Sequence, residues 1–197
     1  MTIIAAMATD DQVYMACDTR TDYSGTGMYN DKGKIRALYT PDGEKILLAA
    51  AGNASILPTV LRAVKVSDTP DPSNIEAADE WASTIAEAIT GALADANPTL
   101  IGPPDDNGAS IAGCLLMAWR QHMWWVYTHT ASRPASRVLA IGSGTEVALG
   151  SLHTAVALRV ANPRYAVDLA VRLACRHATD CGVDARGPLI HTTIDPT

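Results

Sequence analysis

Met1-Thr2-Ile3-Ile4-Ala5-Ala6 opens the chain, Asp18-Thr19-Arg20 follows, and Lys34 stands as far beyond Asp18 as Asp18 stands beyond Thr2. Removing Met1 leaves a threonine that carries a hydroxyl nucleophile and a free α-amine on the same residue. An α-amine ordinarily titrates at about 7.7 to 8.0, so part of it is unprotonated near neutrality and accepts the hydroxyl proton, directly or through water. The backbone then supplies the base. Residues 2–8 and 12–18 read as two strands joined by the turn Thr9-Asp10-Asp11, whose side chains favour turns by bonding to their own backbone. Along the second strand Val13, Met15 and Cys17 share one face, and Tyr14, Ala16 and Asp18 share the other. The hairpin therefore brings Asp18 to the strand end where Thr2 begins.

The composition bounds what such a pair can belong to. At 197 residues, one domain burying about 70% of its unfolded surface is expected. Hydrophobic residues make up 48% of the chain, which suits close-packed layers and self-association. The net charge of −6 and the four lysines, Lys32, Lys34, Lys45 and Lys65, argue against nucleic acid as partner, because phosphate contacts need a basic face. Neither a leader with an apolar core nor an apolar run of spanning length is legible, so the expectation is a cytoplasmic protein with no membrane partner. Cys17, Cys114, Cys175 and Cys181 are scattered through apolar segments and read as reduced packing thiols. Cys175 and Cys181 flank His177, but no second cluster completes a zinc site. No cofactor is implied.

Beyond the first hairpin, Ser24-Gly25-Thr26-Gly27 reads as a polar, glycine-rich stretch. A strand pair is expected at 34–39 and 45–51 around the turn Pro41-Asp42-Gly43-Glu44. Ala51-Gly52-Asn53 then changes the period. Ile56, Val60, Leu61 and Val64 start a helical stripe, with Asn53 or Ser55 as N-cap. A second helix is expected over 74–96, with Trp81, Ile85, Ile89 and Leu93 on one face, and an exposed loop over 97–108. Another hairpin follows, with strands at 110–119 and 123–129 around Arg120-Gln121-His122. A strand at 137–141 leads through Gly142-Ser143-Gly144 into a helix over 145–160. Asn162-Pro163 breaks it before a helix over 165–179, and a strand at 189–194 closes the chain. Strands, two helices, strands, two helices and a strand imply an α+β fold, two stacked antiparallel sheets flanked by helix pairs.

With these residues in place, the chain resembles the proteasome β-type subunits and the peptidase subunit of the related bacterial ATP-dependent protease. The resemblance spans essentially the whole chain and implies the four-layer αββα sandwich of N-terminal-nucleophile hydrolases. Counted from Thr2, Asp18 falls on the family's aspartate within Asp18-Thr19-Arg20, and Lys34 on its lysine, without a gap. The resemblance implies that Thr2 attacks, that Lys34 stabilises the developing negative charge, and that Asp18 holds Lys34 charged and oriented. Ala51-Gly52-Asn53-Ala54 is similar to the turn whose glycine N–H forms the oxyanion hole. Ile141-Gly142-Ser143-Gly144 matches a motif whose serine hydroxyl supports the nucleophile and its amine. Thr179-Asp180 resembles the site of an aspartate tied to that amine, although no Ser-Gly-Gly follows Asp180.

Two departures bear on substrate. Asp22 stands where the family usually has threonine, adding a negative charge beside the bound peptide, and Ile56 replaces an aspartate beyond the oxyanion glycine. Ala50 and Ala54 then line the primary specificity pocket and leave room for a large apolar side chain, while Arg20, Lys32 and Arg36 contribute charge. The resemblance implies a threonine endopeptidase acting on peptides or unfolded proteins, enclosed in a homo-oligomeric ring and fed by an ATP-dependent unfoldase. Two other readings stay open. One is a catalytically silent assembly protein that keeps Met1, for which the bulky Ile3 disfavours removal of the methionine. The other, with a looser match of spacing, is an N-terminal-nucleophile amidase acting on a small molecule.

Overall fold

In a computed structural model, residues 2–23, 26–31, 33–102 and 110–195 are described. What the sequence suggests for Met1, Ser24-Gly25, Lys32 and 103–108 lies outside them. The first hairpin forms as expected from β1 (Ile3–Ala8) and β2 (Val13–Cys17), with Ile4 opposite Cys17 and Ala5 opposite Ala16. Thr9 closes its turn: its hydroxyl accepts the Gln12 N–H at 3.1 Å and donates to the Gln12 carbonyl. After β3 (Arg20–Tyr23) and β4 (Thr26–Tyr29), β5 (Ile35–Tyr39) and β6 (Lys45–Gly52) form the next long pair. Two helices follow, α1 (Ile56–Ala63) and α2 (Ile75–Ala96), then β7 (Gly113–Trp119), β8 (His122–Tyr127), β9 (Thr130–Ser132) and β10 (Val138–Gly142). The chain ends with α3 (Thr145–Ala157), α4 (Pro163–His177) and β11 (Leu189–Thr192).

These strands make two antiparallel sheets, in the orders β10-β1-β2-β11 and β5-β6-β7-β8-β9. Their alternation decides the layering. Ile4, Ala6, Met15 and Cys17 face Leu47, Ala49, Leu116 and Ala118 of the other sheet. The intervening Ile3, Ala5 and Ala16 pack under α3 and α4 against Leu152, Val167 and Val171. On the second sheet, Ile46 and Leu48 pack under α1 and α2 against Ile56, Val60, Trp81, Ile85 and Ile89. Both faces of each long strand are thus covered, which is why β1 and β6 read as nearly unbroken apolar runs. Alanine at many sheet positions lets the layers approach closely. The four-layer αββα order is the expected one. Among the described residues no helix is long and apolar enough to cross a membrane.

Several boundaries depart from the sequence reading for local reasons. The polar stretch after Arg20 pairs as the β3–β4 ribbon, with Arg20 opposite Tyr29. The loop after α2 is not wholly exposed: a 3-10 turn over Pro98–Leu100 buries Leu100, and Ile101 bridges Ile111. Arg120, with φ of +47°, makes the turn with Gln121, so His122 already belongs to β8 opposite Trp119. Beyond β8 the chain turns at His129, φ +61°, into β9, a strand the sequence reading does not include; that reading also carries the preceding strand two residues too far, to 129. Helix α3 stops short of 160 because Arg159 adopts a left-handed φ of +51°. The N–H groups of Arg159 and Val160 then close on the carbonyls of Val156 and Ala155, the Schellman pattern that ends helices. Asn162 caps α4 by accepting the Tyr165 N–H at 3.1 Å, with Pro163 in the first turn, so α4 begins and ends two residues early. At α1, Ser55 occupies the N-cap without a side-chain bond, and Asn53 Oδ1 instead accepts the Ser55 N–H at 2.9 Å.

At the start of β8, buried His122 ties that strand to the loop before α2. Its Nε2 lies 2.8 Å from the Pro72 carbonyl and its Nδ1 2.6 Å from Arg133 Nη1. A guanidinium only donates, so Nδ1 accepts and Nε2 carries the proton. Protonating Nδ1 would set N–H against N–H. Burial, aided by the Arg133 charge, accordingly holds His122 below the usual histidine range. His191 is lowered too, by burial and by Lys45 and Arg36. A depressed folded pKa gives stability that is present above the unfolded pKa of about 6.5 and is lost as pH falls through the folded value. Urea unfolding is therefore expected to show lower stability at about pH 5 than at about pH 7, with a shallower dependence in His122→Gln.

Candidate active site

The site is built where β1 begins and β2 ends. Asp18 is fully buried, and each of its carboxylate oxygens is engaged. Oδ1 accepts the Ile3 N–H at 3.0 Å and Lys34 Nζ at 2.7 Å, while Oδ2 accepts the Gly182 N–H at 3.2 Å. The Asp18 N–H completes the strand pairing by donating to the Ile3 carbonyl at 3.1 Å. Lys34 enters just before β5, where its own N–H donates to Cys17 Sγ at 3.3 Å. Gly33 precedes it with φ of +61°, and a Cβ there would meet a Leu189 methyl at 2.7 Å. The lysine is thus delivered to Asp18 by a turn that only glycine fits.

Thr2, itself buried, is held from its carbonyl side. Ser143 donates both its N–H, at 2.9 Å, and its hydroxyl, at 3.3 Å, to the Thr2 carbonyl. The resemblance implies that this hydroxyl supports the nucleophile and its amine, and the partner seen for it on Thr2 is the carbonyl. The adjacent Gly142 has φ of +110°, and a Cβ on it would lie 2.0 Å from that same carbonyl oxygen.

Thr2, Lys34 and Gly52 open together onto a cleft of about 550 Å³, which is also lined by Thr21, Asp22, Asn30, Arg36, Ala50 and Ala54. The cleft runs between β3, the end of β6 and the start of α1, where Leu57, Pro58 and Leu61 add an apolar wall. At its floor Gly52, φ +115°, lies against Gly113, and a Cβ on Gly52 would stand 2.7 Å from the Gly113 Cα. Ile56 is fully buried beneath α1, so the apolar residue in place of an acidic one serves the core. Asp22 does line the cleft, but Arg20 Nη2 pairs with it at 3.3 Å and offsets its charge. Arg20 itself lines a separate cavity. Asp180, half-buried in the turn after α4, joins neither the cleft lining nor the Asp18 bonds; Gly182, two residues on, is what reaches Asp18. Sequence reasoning missed Gly182, Asn30, Thr21 and the Leu57–Pro58–Leu61 wall. The polar, glycine-rich stretch beyond Arg20 was the available signal for the ribbon. Among the described residues no group of three or more His, Cys, Asp or Glu is placed to hold a metal.

Neither the family models nor the curated proteins match this chain by sequence. Solved structures do match in shape. BPH of Thiobacillus denitrificans, in complex with epoxomicin, superposes with a TM-score of 0.69 at 17% identity, covering 96% of this chain and 97% of its own. The eukaryotic HslV of Trypanosoma brucei gives 0.63 at 12% identity, covering 96% and 98%. Anbu, an ancestral beta-subunit from Yersinia bercovieri, gives 0.67 at 13% identity, covering 96% and 80%. The fold is that of the proteasome-type subunits. Within this fold, Asp18 bonds the backbone next to Thr2 at the end of the first hairpin, Lys34 pairs with Asp18, Gly52 lines the same cleft as Thr2 and Lys34, and Ser143 bonds the Thr2 carbonyl.

Two substitutions test the geometry without reference to activity. Asp18→Ala leaves the Lys34 ammonium without its carboxylate at a nearly buried position and is expected to cost about 3 to 5 kcal/mol in urea unfolding. Gly142→Ala forces a Cβ into the Thr2 carbonyl at a left-handed position and is expected to cost at least about 2 kcal/mol. Ala in place of solvent-facing Gly43, whose neighbourhood is open, serves as the control for left-handed strain alone.

Proposed function

We propose that the chain is a threonine-type endopeptidase whose nucleophile is Thr2 after removal of Met1. The observation that carries this reading is the convergence of Thr2, the Asp18–Lys34 ion pair and Gly52 on one cleft. In the proposed reaction the Thr2 hydroxyl attacks the scissile carbonyl and passes its proton to the Thr2 α-amine. The Gly52 N–H and the Lys34 ammonium stabilise the negative charge that develops. The amine then returns the proton to the leaving nitrogen, the C–N bond breaks, and an ester to Thr2 remains. Water, deprotonated by the same amine, releases the acyl group and restores the hydroxyl.

Several features favour an extended peptide as substrate. Thr21 and Asp22 of the ribbon lie along one side of the cleft and Gly52 to Ser55 along the other, so backbone groups flank both sides of a bound strand. Ala50 and Ala54 with Leu57, Pro58 and Leu61 favour a large apolar residue before the cut. Asp22 contributes little net charge because Arg20 pairs with it. Resemblance to proteasome-type subunits supports assembly of copies of this chain into a ring that encloses the sites, with an ATP-dependent unfoldase as supplier of unfolded substrate.

Intact mass before and after treatment with epoxomicin, the compound bound by the Thiobacillus protein, tests the assignment. The expected result is loss of the Met1 mass, a single adduct, and no adduct in Thr2→Ala. A native protein that keeps Met1 and takes up no adduct would instead be the silent assembly protein. For Lys34→Met, kcat/KM on peptides with a large apolar residue before the cut is expected to fall by about 10²- to 10³-fold. Unchanged turnover in that variant, with folding verified by circular dichroism, would remove Lys34 from the mechanism.

A further inference from the structure

Two of the four cysteines are more than packing. Cys175 lies in the last turn of α4, and Cys181 follows the turn that leaves that helix. Both line a cavity of about 500 Å³ whose walls include Arg20, Arg172, Arg176 and Tyr29. Cys181 packs into the core beneath α3 and α4, with half-buried Cys175 against it. Hydrogen bonding between the two thiols holds Cys181 below the usual thiol range, against the opposing effect of burial, and pushes Cys175 far above it. The other two thiols are in different surroundings. Cys17 is sealed between the sheets and pushed up to about 11, chiefly by burial, and burial raises Cys114 as well. Two cysteines that line one cavity walled by guanidinium groups are the setting in which oxidation is selective.

We propose that Cys175 and Cys181 form an oxidisable dithiol that acts on Asp18 through Gly182. With a peroxide as oxidant, the Cys181 thiolate attacks one oxygen, the O–O bond breaks, and the departing hydroxide takes up a proton as water. Cys181 is left as a sulfenic acid. The Cys175 sulfur then attacks the Cys181 sulfur, the S–S bond forms as the S–O bond breaks, and the Cys175 proton leaves with the hydroxide as a second water. Two thiols lose two electrons, and the peroxide gains them.

The link to the site is covalent at one end. Gly182 is peptide-bonded to Cys181. Its N–H donates to Asp18 Oδ2, and its carbonyl accepts the Thr19 and Arg20 N–H groups at 3.1 and 3.0 Å. Drawing the Cys181 sulfur into a bond with helix α4 therefore pulls on the segment that holds one Asp18 oxygen, while Ile3 and Lys34 share the other. Disulfide formation and its effect on Asp18 stand independently of the peptidase reading; only an effect on hydrolysis rests on it.

Trypsin supplies the test, because cleavage after Arg176 separates the two cysteines. The folded full-length chain is treated with hydrogen peroxide, remaining thiols are alkylated in denaturant, and the digest is read by mass spectrometry. The expected product is peptide 173–176 joined to peptide 177–186, separated again by dithiothreitol, with Cys17 and Cys114 alkylated. In Cys175→Ser a dimedone adduct is expected at Cys181. Alkylation of Cys175 and Cys181 after Cys114 or Cys17 has oxidised would overturn the proposal. Amide exchange of Gly182 and Ile3, both donors to Asp18, reads the coupling without any need for activity. Faster exchange by about tenfold is expected in the oxidised wild type and not in peroxide-treated Cys175→Ser/Cys181→Ser. Equal exchange in the cross-linked and reduced wild type would overturn the coupling. Absence of hydrolysis by the reduced protein, with the cross-link and exchange change intact, would count against the peptidase reading alone.

Discussion

A single buried carboxylate organises the region around Thr2. Asp18 leaves water completely, a state that is costly unless every lone pair is engaged and the charge is matched. Here the charge is matched by Lys34 and the remaining capacity is taken by the amides of Ile3 and Gly182. Each donor comes from a different part of the chain: the first strand, the turn before β5, and the segment after α4. The carboxylate thereby fixes the separation of three segments that no single element spans. Placing a lysine ammonium at the rim of the cleft follows from that fixation, because its carboxylate partner Asp18 lies inside.

The layers on either side explain why Asp18 can be buried at all. Both faces of β1 and β2 are covered, one by the second sheet and the other by α3 and α4, so the end of β2 has no route to solvent except through the cleft. Glycines keep that cleft open by removing side chains where backbones meet. Gly142 admits the Thr2 carbonyl, and the Gly52–Gly113 contact lets the end of β6 lie flat against β7. Their roles are steric and differ from those of turn glycines, which supply only a backbone angle.

The sequence carried the layers because their signal is local. The nearly unbroken apolar runs of β1 and β6 mark strands covered on both faces, the four-residue spacing in α2 states which of its faces is inside, and neither depends on distant partners. The first hairpin alone also brought Asp18 to Thr2, whereas Lys34 was placed beside them only by the resemblance, because the interval from Asp18 to Lys34 crosses the β3–β4 ribbon. What stayed illegible depends on backbone geometry or on long-range pairing. Arg159 ends α3 by adopting an angle that its residue type does not announce. The β3–β4 ribbon is polar and lacks a buried face to mark its period. Gly182 acts through its N–H, a group every residue except proline carries, so nothing distinguished it from Asp180, whose side chain drew attention instead. Ser143 was correctly placed near Thr2, but which Thr2 atom it serves depends on the course of the backbone at Gly142.

The bond from Gly182 to Asp18 also has a meaning in time. Residue 18 leaves a ribosome long before residue 182, and β1 must wait for β10 before it has a neighbour on its second side. A nascent chain can close its first hairpin early, but the pocket around the buried carboxylate is complete only when the segment after α4 has emerged and docked. Assembly of the pocket is thereby deferred to a late stage of folding, and shorter nascent chains carry Thr2 and Asp18 without the surroundings that enclose them.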